Sequence, residues 1–159
     1  MIIVSDTSPI SNLLQIGEIE LLRLTFTRVI IPNAVYREIC EVDSSRIALS
    51  HFDWIERVSI TDISLRDQLL QKVDIGEAEA IVLAVELSAD YILIDEALGR
   101  KVAREMGLTM TGLLGVLLRA KRDGHIELIK PYIDRLINDV GFRLSAALID
   151  DALYQADEK

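Results

Sequence analysis

Two aspartates come directly after short apolar runs, Asp6 in the phrase IIVSD and Asp95 in the phrase ILID. Such runs are typical of strands that are buried on both faces of a parallel sheet. Ligands of these sheets bind beyond the carboxyl ends of the strands, so both aspartates are predicted at the edge where a site would lie. Carboxylates from neighbouring strand ends repel each other unless they are protonated or share a cation. Hard cations such as Mg²⁺ and Mn²⁺ prefer oxygen ligands, and this edge could therefore hold one.

Glutamates in the intervening helices add further candidate ligands. Glu38 lies about one and a half turns into the helix that follows the second predicted strand, and Glu77 comes directly after Gly76 at the start of a later helix. Glu79 and Glu96 are nearby in sequence. Side chains two residues apart on a helix point in different directions, so we expect at most one of Glu77 and Glu79 to be a ligand. We choose Glu77 because it opens its helix near the sheet edge.

Each of these acids also has an ordinary structural explanation. Asp6 could cap a helix, Asp95 could be a turn residue, and the glutamates could lie on solvated helix faces. Acidic residues at helix starts interact favourably with the helix dipole. Residue types and spacing alone leave both the metal site and the structural explanation open.

The elements that must position these residues alternate between strand and helix. Strands are predicted at residues 1–5, 28–31, 91–94 and 108–110, with a minor strand at 54–58. Ser8, as N-cap before Pro9, is predicted to start a helix that ends near residue 16, and residues 74–76 interrupt the later helical pattern. Further helices are predicted from Asn33, at 64–73, at 77–87, from Asp95 to about 106, and at 113–122, 132–138 and 145–156. This alternation indicates one α/β domain, 1–159, with a central, mostly parallel sheet and helices on both faces.

The charge of the chain limits its possible partners. It has 26 Asp and Glu residues against 17 Lys and Arg residues, a net charge of −9. A protein that binds nucleic acid usually shows basic surface. The negative charge therefore argues against nucleic acid unless carboxylates are gathered around bound cations that reverse the local field. Arg100 is our candidate for a phosphate contact, because it lies one turn beyond Asp95 on a helix that also carries Lys101 and Arg104.

Cysteine usage and hydropathy point to a cellular compartment. Cys40 is the only cysteine, which is typical of a reducing environment, and we expect it to be a small buried hydrophobe rather than a nucleophile. No apolar run approaches the ~18–20 residues that a membrane span needs. The first residues lack the basic and apolar regions of a signal peptide. We expect a cytoplasmic protein that does not enter a membrane.

Five phrases of the sequence carry a family resemblance: VSDTSPISNLL, PNAVYREI, DIGEAEAIVLAVE, YILIDEALGRKVAREMGL and TGLLGVLLRAKRDGHI. Together they cover most of the chain, from Met1 to about Gly141. In these phrases the chain resembles the PIN-domain family, and within it a branch of small prokaryotic proteins similar to the VapC-type toxins. No single phrase is specific to that family, but their combination is.

The resemblance implies a three-layer α/β/α fold and a metal-dependent endoribonuclease that hydrolyses RNA phosphodiesters. The family's catalytic acids, which also hold Mg²⁺ or Mn²⁺, correspond by motif to Asp6, Glu38, Glu77 and Asp95. In this chemistry a bound ion lowers the pKa of a water molecule, so that hydroxide can attack phosphorus.

The resemblance also implies partners for the chain. Thr7 or Ser8, the hydroxyl residues beside the first acid, would help to orient it and, with Arg100, would contact the RNA substrate. A toxin of this kind would pair with a small antitoxin protein, and we expect a homodimer. Apolar residues recur at helical spacing in the last third of the chain, and some of them could form the dimer or antitoxin face.

Two features depart from the better-known toxins of this branch. Their mid-chain acid is usually an aspartate, whereas Glu77 stands here within GEAEA, and their last aspartate commonly follows a hydroxyl residue, whereas Asp95 follows Ile94. The metal spacing could therefore differ, and the alternative is a catalytically degenerate PIN-like module that binds nucleic acid or protein. A haloacid-dehalogenase-type phosphatase would need a second aspartate where Ser8 stands, and the acidic pair and late lysine of a receiver domain are not evident.

Overall fold

Five short strands pair side by side in the computed structural model, which describes residues 1–42 and 49–159. In chain order they are β1 (Ile3–Ser5), β2 (Val29–Ile31), β3 (Ile55–Arg57), β4 (Tyr91–Leu93) and β5 (Met110–Thr111). Their order across the sheet is β3-β2-β1-β4-β5, and each neighbouring pair is parallel. The predicted α/β class with a parallel central sheet is confirmed.

Strand β1 lies at the centre of the sheet, between β2 and β4. It pairs with β2 at Val4 and Ile30, and with β4 at Ser5 and Leu93. Beyond the end of β1, the Asp6 amide donates a 2.9 Å hydrogen bond to the Leu93 carbonyl. The parallel pairing therefore brings the residues that follow β1 and β4 to the same edge of the sheet.

Helices cover both faces of this sheet. All three side chains of β1 are buried, as are those of β2, and successive side chains on a strand point to opposite faces. The helices are α1 (Thr7–Gln15), α2 (Glu20–Phe26), α3 (Asn33–Val42), α4 (Ile63–Leu69), α5 (Ile75–Glu86), α6 (Ala97–Glu105), α7 (Leu113–Arg122), α8 (Lys130–Val140) and α9 (Ala146–Gln155), with a 3₁₀ turn at Leu49–His51. The predicted three-layer α/β/α arrangement is therefore present. Within the two described ranges, none of these helices has the length and apolar character that a membrane span needs.

Helix α5 is the most deeply buried helix next to the sheet. Its residues from Gly76 to Ala84 are buried without interruption, and it packs against β1, β4, α3 and α4. Two of these buried residues, Glu77 and Glu79, are acidic. An ionised side chain is costly to bury unless it has partners, so both acids require an explanation.

The starts of α1 and α5 lie earlier than predicted. Helix α1 starts at Thr7, with Asp6 in the N-cap position, and the prediction of Ser8 as N-cap is therefore wrong. The reason is that Pro9 fits anywhere in the first helical turn, where amides have no partner within the helix. Helix α5 starts at Ile75 because Asp74 caps it, whereas the pattern predicted a break at 74–76.

Two further elements differ from the prediction. Helix α2 is not indicated by the sequence pattern, because it is short and its buried residues, Leu21, Leu22 and Phe26, span less than two turns. Strand β5 lies at Met110–Thr111 rather than at 108–110. Neither difference moves the edge of the sheet that carries Asp6 and Asp95.

Candidate metal centre

Asp6 lies one residue after the end of β1, at the N-cap position of α1. Only 4% of this residue is exposed. Burial raises the pKa of Asp6 to about 7, although the Thr7 amide lowers it. Repulsion from three other acids adds to the increase in pKa: Asp74, Glu38 and Asp95. The Asp6 carboxyl group therefore lies within electrostatic reach of these acids, which together with Asp6 and Glu77 form an acidic cluster.

Asp95 lies at the same edge, two residues after the end of β4. Its Oδ1 accepts a 3.1 Å hydrogen bond from the Leu113 amide, whereas its Oδ2 is buried and has no hydrogen-bond partner among the described residues. Burial raises the pKa of Asp95 to about 6, against the lowering effects of the Leu113 amide and Arg100. One oxygen of this carboxyl group is anchored, and the other is available to a ligand.

Glu77 lies in the first turn of α5 and forms a capping box with Asp74. The Glu77 amide donates a 2.8 Å hydrogen bond to Asp74 Oδ1, and Glu77 Oε1 accepts a 3.4 Å hydrogen bond from the Asp74 amide. Glu77 Oε2 is buried without a partner in the described part of the chain. Burial raises the pKa of Glu77 to about 8, and repulsion from Asp74 and Asp6 contributes. Like Asp95, Glu77 has one anchored oxygen and one available oxygen.

Glu38 reaches the cluster from α3. Its Oε2 accepts a 2.6 Å hydrogen bond from the hydroxyl group of Thr7, the first residue of α1. Thr7 or Ser8 was expected to orient Asp6, and the hydroxyl group of Thr7 contacts Glu38. This bond joins α1 to α3 beside Asp6.

Three glycines each face one of these carboxylates, in the pairs Gly76–Glu38, Gly99–Glu77 and Gly112–Asp95. A Cβ atom at Gly76 would lie only 2.6 Å from Glu38 Oε1, and a Cβ atom at either of the other two glycines would come closer still to its carboxylate. Glycine is the residue that allows such close approach. A larger residue at any of the three positions would therefore displace a carboxylate of the cluster.

Asp74 is a member of the cluster that the sequence pattern did not predict. Its carboxylate caps α5, and its charge raises the pKa values of both Asp6 and Glu77. The spacing Asp-x-x-Glu before an apolar run is a capping-box signal. That signal could have identified Asp74, which was instead taken as a break in the helix.

The two other acids considered from the sequence are Glu79, which faces away from the cluster, and Glu96, whose charge raises the pKa of Asp95. Glu79 is buried, its Oε1 accepts a 3.0 Å hydrogen bond from the Ala34 amide, and its Oε2 lies 3.3 Å from Arg66 Nη1. Glu96 is exposed at the N-cap position of α6. Glu77 is thus the member of the Glu77–Glu79 pair that interacts with the other acids.

The donor set of the cluster fits a hard divalent cation. Two carboxylate oxygens, on Glu77 and Asp95, are buried without a partner among the described residues, and a cation would relieve the repulsion at Asp6 and Glu77. In residues 1–42 and 49–159, no three acidic, histidine or cysteine side chains lie close enough together to form a finished metal-binding group. The cluster therefore has suitable ligands for Mg²⁺ or Mn²⁺, and binding would require these side chains to converge.

A groove of about 830 Å³ opens beside Asp95. Ser8 and Arg100, two of the residues predicted to contact substrate, line this groove. Arg100 Nη1 donates a 2.7 Å hydrogen bond to the Ile94 carbonyl, which holds the guanidinium group close to Asp95. The groove thus connects the acidic cluster with a fixed positive charge.

Two further arginines line the same groove, Arg104 from α6 and Arg143 from the segment between α8 and α9. Within the described ranges, neither forms an ion pair shorter than 4.0 Å. Arg143 was not a sequence candidate, because it lies far from Asp95 along the chain. An acidic protein thus presents uncommitted positive charge next to its acidic cluster.

Comparison with known proteins identifies the family. A family model described as a PIN domain matches residues 2–158, nearly the whole chain. Neither the comparison with curated proteins nor the comparison with solved structures gave a match. The all-parallel sheet flanked by helices is consistent with this fold. The chain therefore belongs to the PIN-domain family.

Proposed function

We propose that this PIN domain is a metal-dependent endoribonuclease that hydrolyses RNA phosphodiesters. The observation that carries the proposal concerns Glu77 and Asp95. Each has one carboxylate oxygen fixed by a backbone amide and a second oxygen that is buried without a partner among the described residues. An unsatisfied buried acceptor costs about 1–3 kcal/mol, so both oxygens favour a bound cation.

Four acids would hold Mg²⁺ or Mn²⁺ in this proposal. Asp6 and Asp95 would do so from the ends of adjacent strands, Glu77 from the start of α5, and Glu38 from α3, where Thr7 orients it. When bound, the ion lowers the pKa of a water molecule and stabilises charge on the phosphodiester. The chain's own contribution is to bury Asp6 and Glu77 and to hold one oxygen each of Glu38, Glu77 and Asp95 by a hydrogen bond, and the four side chains would then converge on the ion.

The groove beside Asp95 supports RNA as the substrate. Arg100, Arg104 and Arg143 line it and would contact phosphate groups, while Ser8 would offer a hydroxyl group near the cluster. Divalent cations in the cluster would also offset the net charge of −9 in this region. The groove lining also carries Asp95, Glu96 and Asp151, so bound cations would be needed to make this region positive in a protein that is acidic as a whole.

We extend the proposal to a biological role as a toxin that a small antitoxin protein holds inactive. The groove has an apolar side that includes Leu114, Leu118, Leu144 and Leu148, of which Leu148 is 55% exposed. An apolar surface bordered by arginines suits a partner segment that carries apolar and acidic side chains. Helix α9 also exposes Tyr154, which would be available to a homodimer interface.

A second candidate function is a PIN-like module that binds nucleic acid or protein without cleaving RNA. It is favoured by the observation that the acids of the described ranges do not form a finished metal-binding group. The two candidate functions differ in one measurable property, which is whether the protein cleaves RNA when a divalent ion is present.

Incubation of the purified protein with RNA of mixed sequence in the presence of Mn²⁺ tests the proposal. We expect cleavage that EDTA abolishes. Mn²⁺ should also raise the melting temperature, because a ligand that binds only the folded state stabilises it. RNA binding without cleavage, together with an unchanged melting temperature, would favour the binding module.

A further inference from the structure

Glu79 is a buried acid for which the proposed reaction has no use. It is 3% exposed and lies two residues after Glu77 on α5. We propose that Glu79 is a positioning residue. It fixes α3 at the position along α5 from which Glu38 reaches the acidic cluster. This inference rests on the proposed function, because it concerns the support of a residue that would hold the metal ion.

The first contact lies at the start of α3. Glu79 Oε1 accepts a 3.0 Å hydrogen bond from the amide of Ala34, a residue that is itself buried. The first amides of a helix have no partner within the helix, and a carboxylate near them also interacts favourably with the helix dipole. Glu79 therefore serves α3 as a capping group, although it belongs to a different helix.

The second contact lies one turn further along α3. Glu38 comes four residues after Ala34, on the same face of the helix, and a Cβ atom at Gly76 would lie 2.6 Å from Glu38 Oε1. On α5, Gly76 comes three residues before Glu79, so these two residues also share a face. From the Ala34–Glu79 contact to the Glu38–Gly76 contact, the residue number increases along α3 and decreases along α5. The two helices therefore pack antiparallel, and the two contacts fix their register.

Glu79 forms an ion pair with Arg66. Glu79 Oε2 lies 3.3 Å from Nη1 of Arg66, a residue of α4. A buried carboxylate is stable only when its charge is paired and its oxygens are hydrogen-bonded. One oxygen of Glu79 contacts α3 and the other contacts α4, so this side chain ties three helices together.

Loss of the Glu79 contact would change the position of Glu38. Thr7 holds Glu38 through a 2.6 Å hydrogen bond, and the geometry of that bond depends on where α3 lies relative to α1. If Glu79 only stabilised the fold, its removal would lower the melting temperature without moving Glu38. A positioning role requires both effects.

The test uses three variants. Glu79→Ala removes the acceptor for the Ala34 amide, and Glu79→Gln restores an oxygen acceptor of the same length. Glu158→Ala is the matched control, because the Glu158 side chain is only 5% exposed and accepts hydrogen bonds from the Ile129 and Lys130 amides at the start of α8, at 2.7 and 3.0 Å. Helix α8 carries none of the candidate metal ligands.

Three measurements on each variant decide the question: the melting temperature, the crystal structure of the metal-free protein and a calorimetric titration with Mn²⁺. We expect Glu79→Ala to separate Glu38 from Thr7 beyond hydrogen-bonding distance and to weaken Mn²⁺ binding about tenfold. Glu79→Gln should largely restore both properties. Glu158→Ala should lower the melting temperature and leave both properties as in the wild type.

The inference is wrong if Glu79→Ala keeps both the Glu38–Thr7 hydrogen bond and the wild-type affinity for Mn²⁺. Should Glu79→Ala fail to fold, Glu79→Asp takes its place, because its carboxylate is one methylene too short to reach the Ala34 amide and should cause the same losses. If the wild-type protein binds no Mn²⁺, the proposed function fails. The position of Glu38 in the metal-free crystal structures still decides the inference in that case.

Discussion

The Thr7 hydroxyl group donates a 2.6 Å hydrogen bond to Glu38 Oε2, although the two residues are 31 positions apart in the chain. The bond joins the start of α1, next to Asp6, to the middle of α3. Groups that orient a metal-binding residue commonly change metal affinity by about 10–100-fold when they are removed. Thr7 therefore provides a direct probe of the role of Glu38.

Thr7→Val keeps the shape of the side chain and removes the hydroxyl donor. We expect about tenfold weaker Mn²⁺ binding in a calorimetric titration, because Glu38 is no longer oriented. Thr7→Ser keeps the donor and is expected to bind Mn²⁺ as the wild type does. Equal affinities for the valine and serine variants would show that Glu38 does not hold the ion.

Gly99→Ala tests the space around Glu77. Replacing glycine by alanine inside a helix usually stabilises a protein by up to about 1 kcal/mol. Here we expect weaker Mn²⁺ binding instead, because the new Cβ atom would overlap Glu77 Oε2. Gly115→Ala in α7 is the control, since its Cβ atom would meet Thr111 and no carboxylate. Unchanged Mn²⁺ affinity in Gly99→Ala would remove Glu77 from the site.

The stability of the metal-free protein should depend on pH through three raised pKa values, about 7 for Asp6, about 8 for Glu77 and about 6 for Asp95. The folded state holds these protons more tightly than the unfolded state, whose acids titrate near pH 4. Their contribution therefore favours folding below about pH 4 and is lost as the pH rises to about 8. Each group can lower the free energy of unfolding by at most about 1.4 kcal/mol per pH unit.

Urea unfolding in EDTA between pH 4 and pH 8 measures this dependence. Comparison with Asp6→Asn isolates one group, because the other acids of the chain titrate in both proteins. We expect Asp6→Asn to gain stability relative to the wild type as the pH rises from about 4 to about 7. A stability difference that stays constant across this range would contradict the burial of an ionisable Asp6.

Neutralising the strand-end acids should separate activity from stability. We expect Asp6→Asn and Asp95→Asn to lower RNA cleavage by at least about 100-fold, because each removes a metal ligand. Both variants should fold, and in EDTA at pH 8 they should melt at or above the wild-type temperature, since repulsion is relieved. RNA cleavage that persists in both variants would place the active site elsewhere.

The arginines of the groove should act on substrate binding. Arg104→Ala and Arg143→Ala are expected to raise KM for RNA several-fold with little change in kcat. Each should also reduce the salt dependence of RNA affinity by the amount that one phosphate contact contributes. Arg28→Ala is the control, because Arg28 is exposed, pairs with Glu56 and precedes β2 at the opposite edge of the sheet. Equal effects of all three variants would indicate general electrostatics rather than a groove.

Several features of the site could be predicted because they follow from local sequence and from the rules of parallel sheets. Asp6 and Asp95 follow apolar strands, and parallel pairing of those strands brings the two residues to one edge. Asp74 could also have been identified from its capping-box spacing with Glu77. The residues of that capping box lie next to each other in the sequence, so no distant contact was needed to identify Asp74.

Other features could not be predicted, because they depend on contacts between distant segments. Nothing near Gly112 in the sequence indicates that it faces Asp95, and Glu79 meets the Ala34 amide across 45 positions. The directions of the carboxylate oxygens depend on these packing contacts. The sequence therefore predicts the acids of the cluster more readily than the supports that hold them.

Anomalous diffraction from crystals soaked in Mn²⁺ tests most directly whether the acids at this edge share a divalent ion. We predict an Mn²⁺ ion within about 2.0–2.3 Å of the Asp95 carboxylate and of at least one oxygen of Asp6 or Glu77. An ion bound only away from this edge, or no bound ion in crystals of a protein that cleaves RNA, would contradict the proposed metal centre.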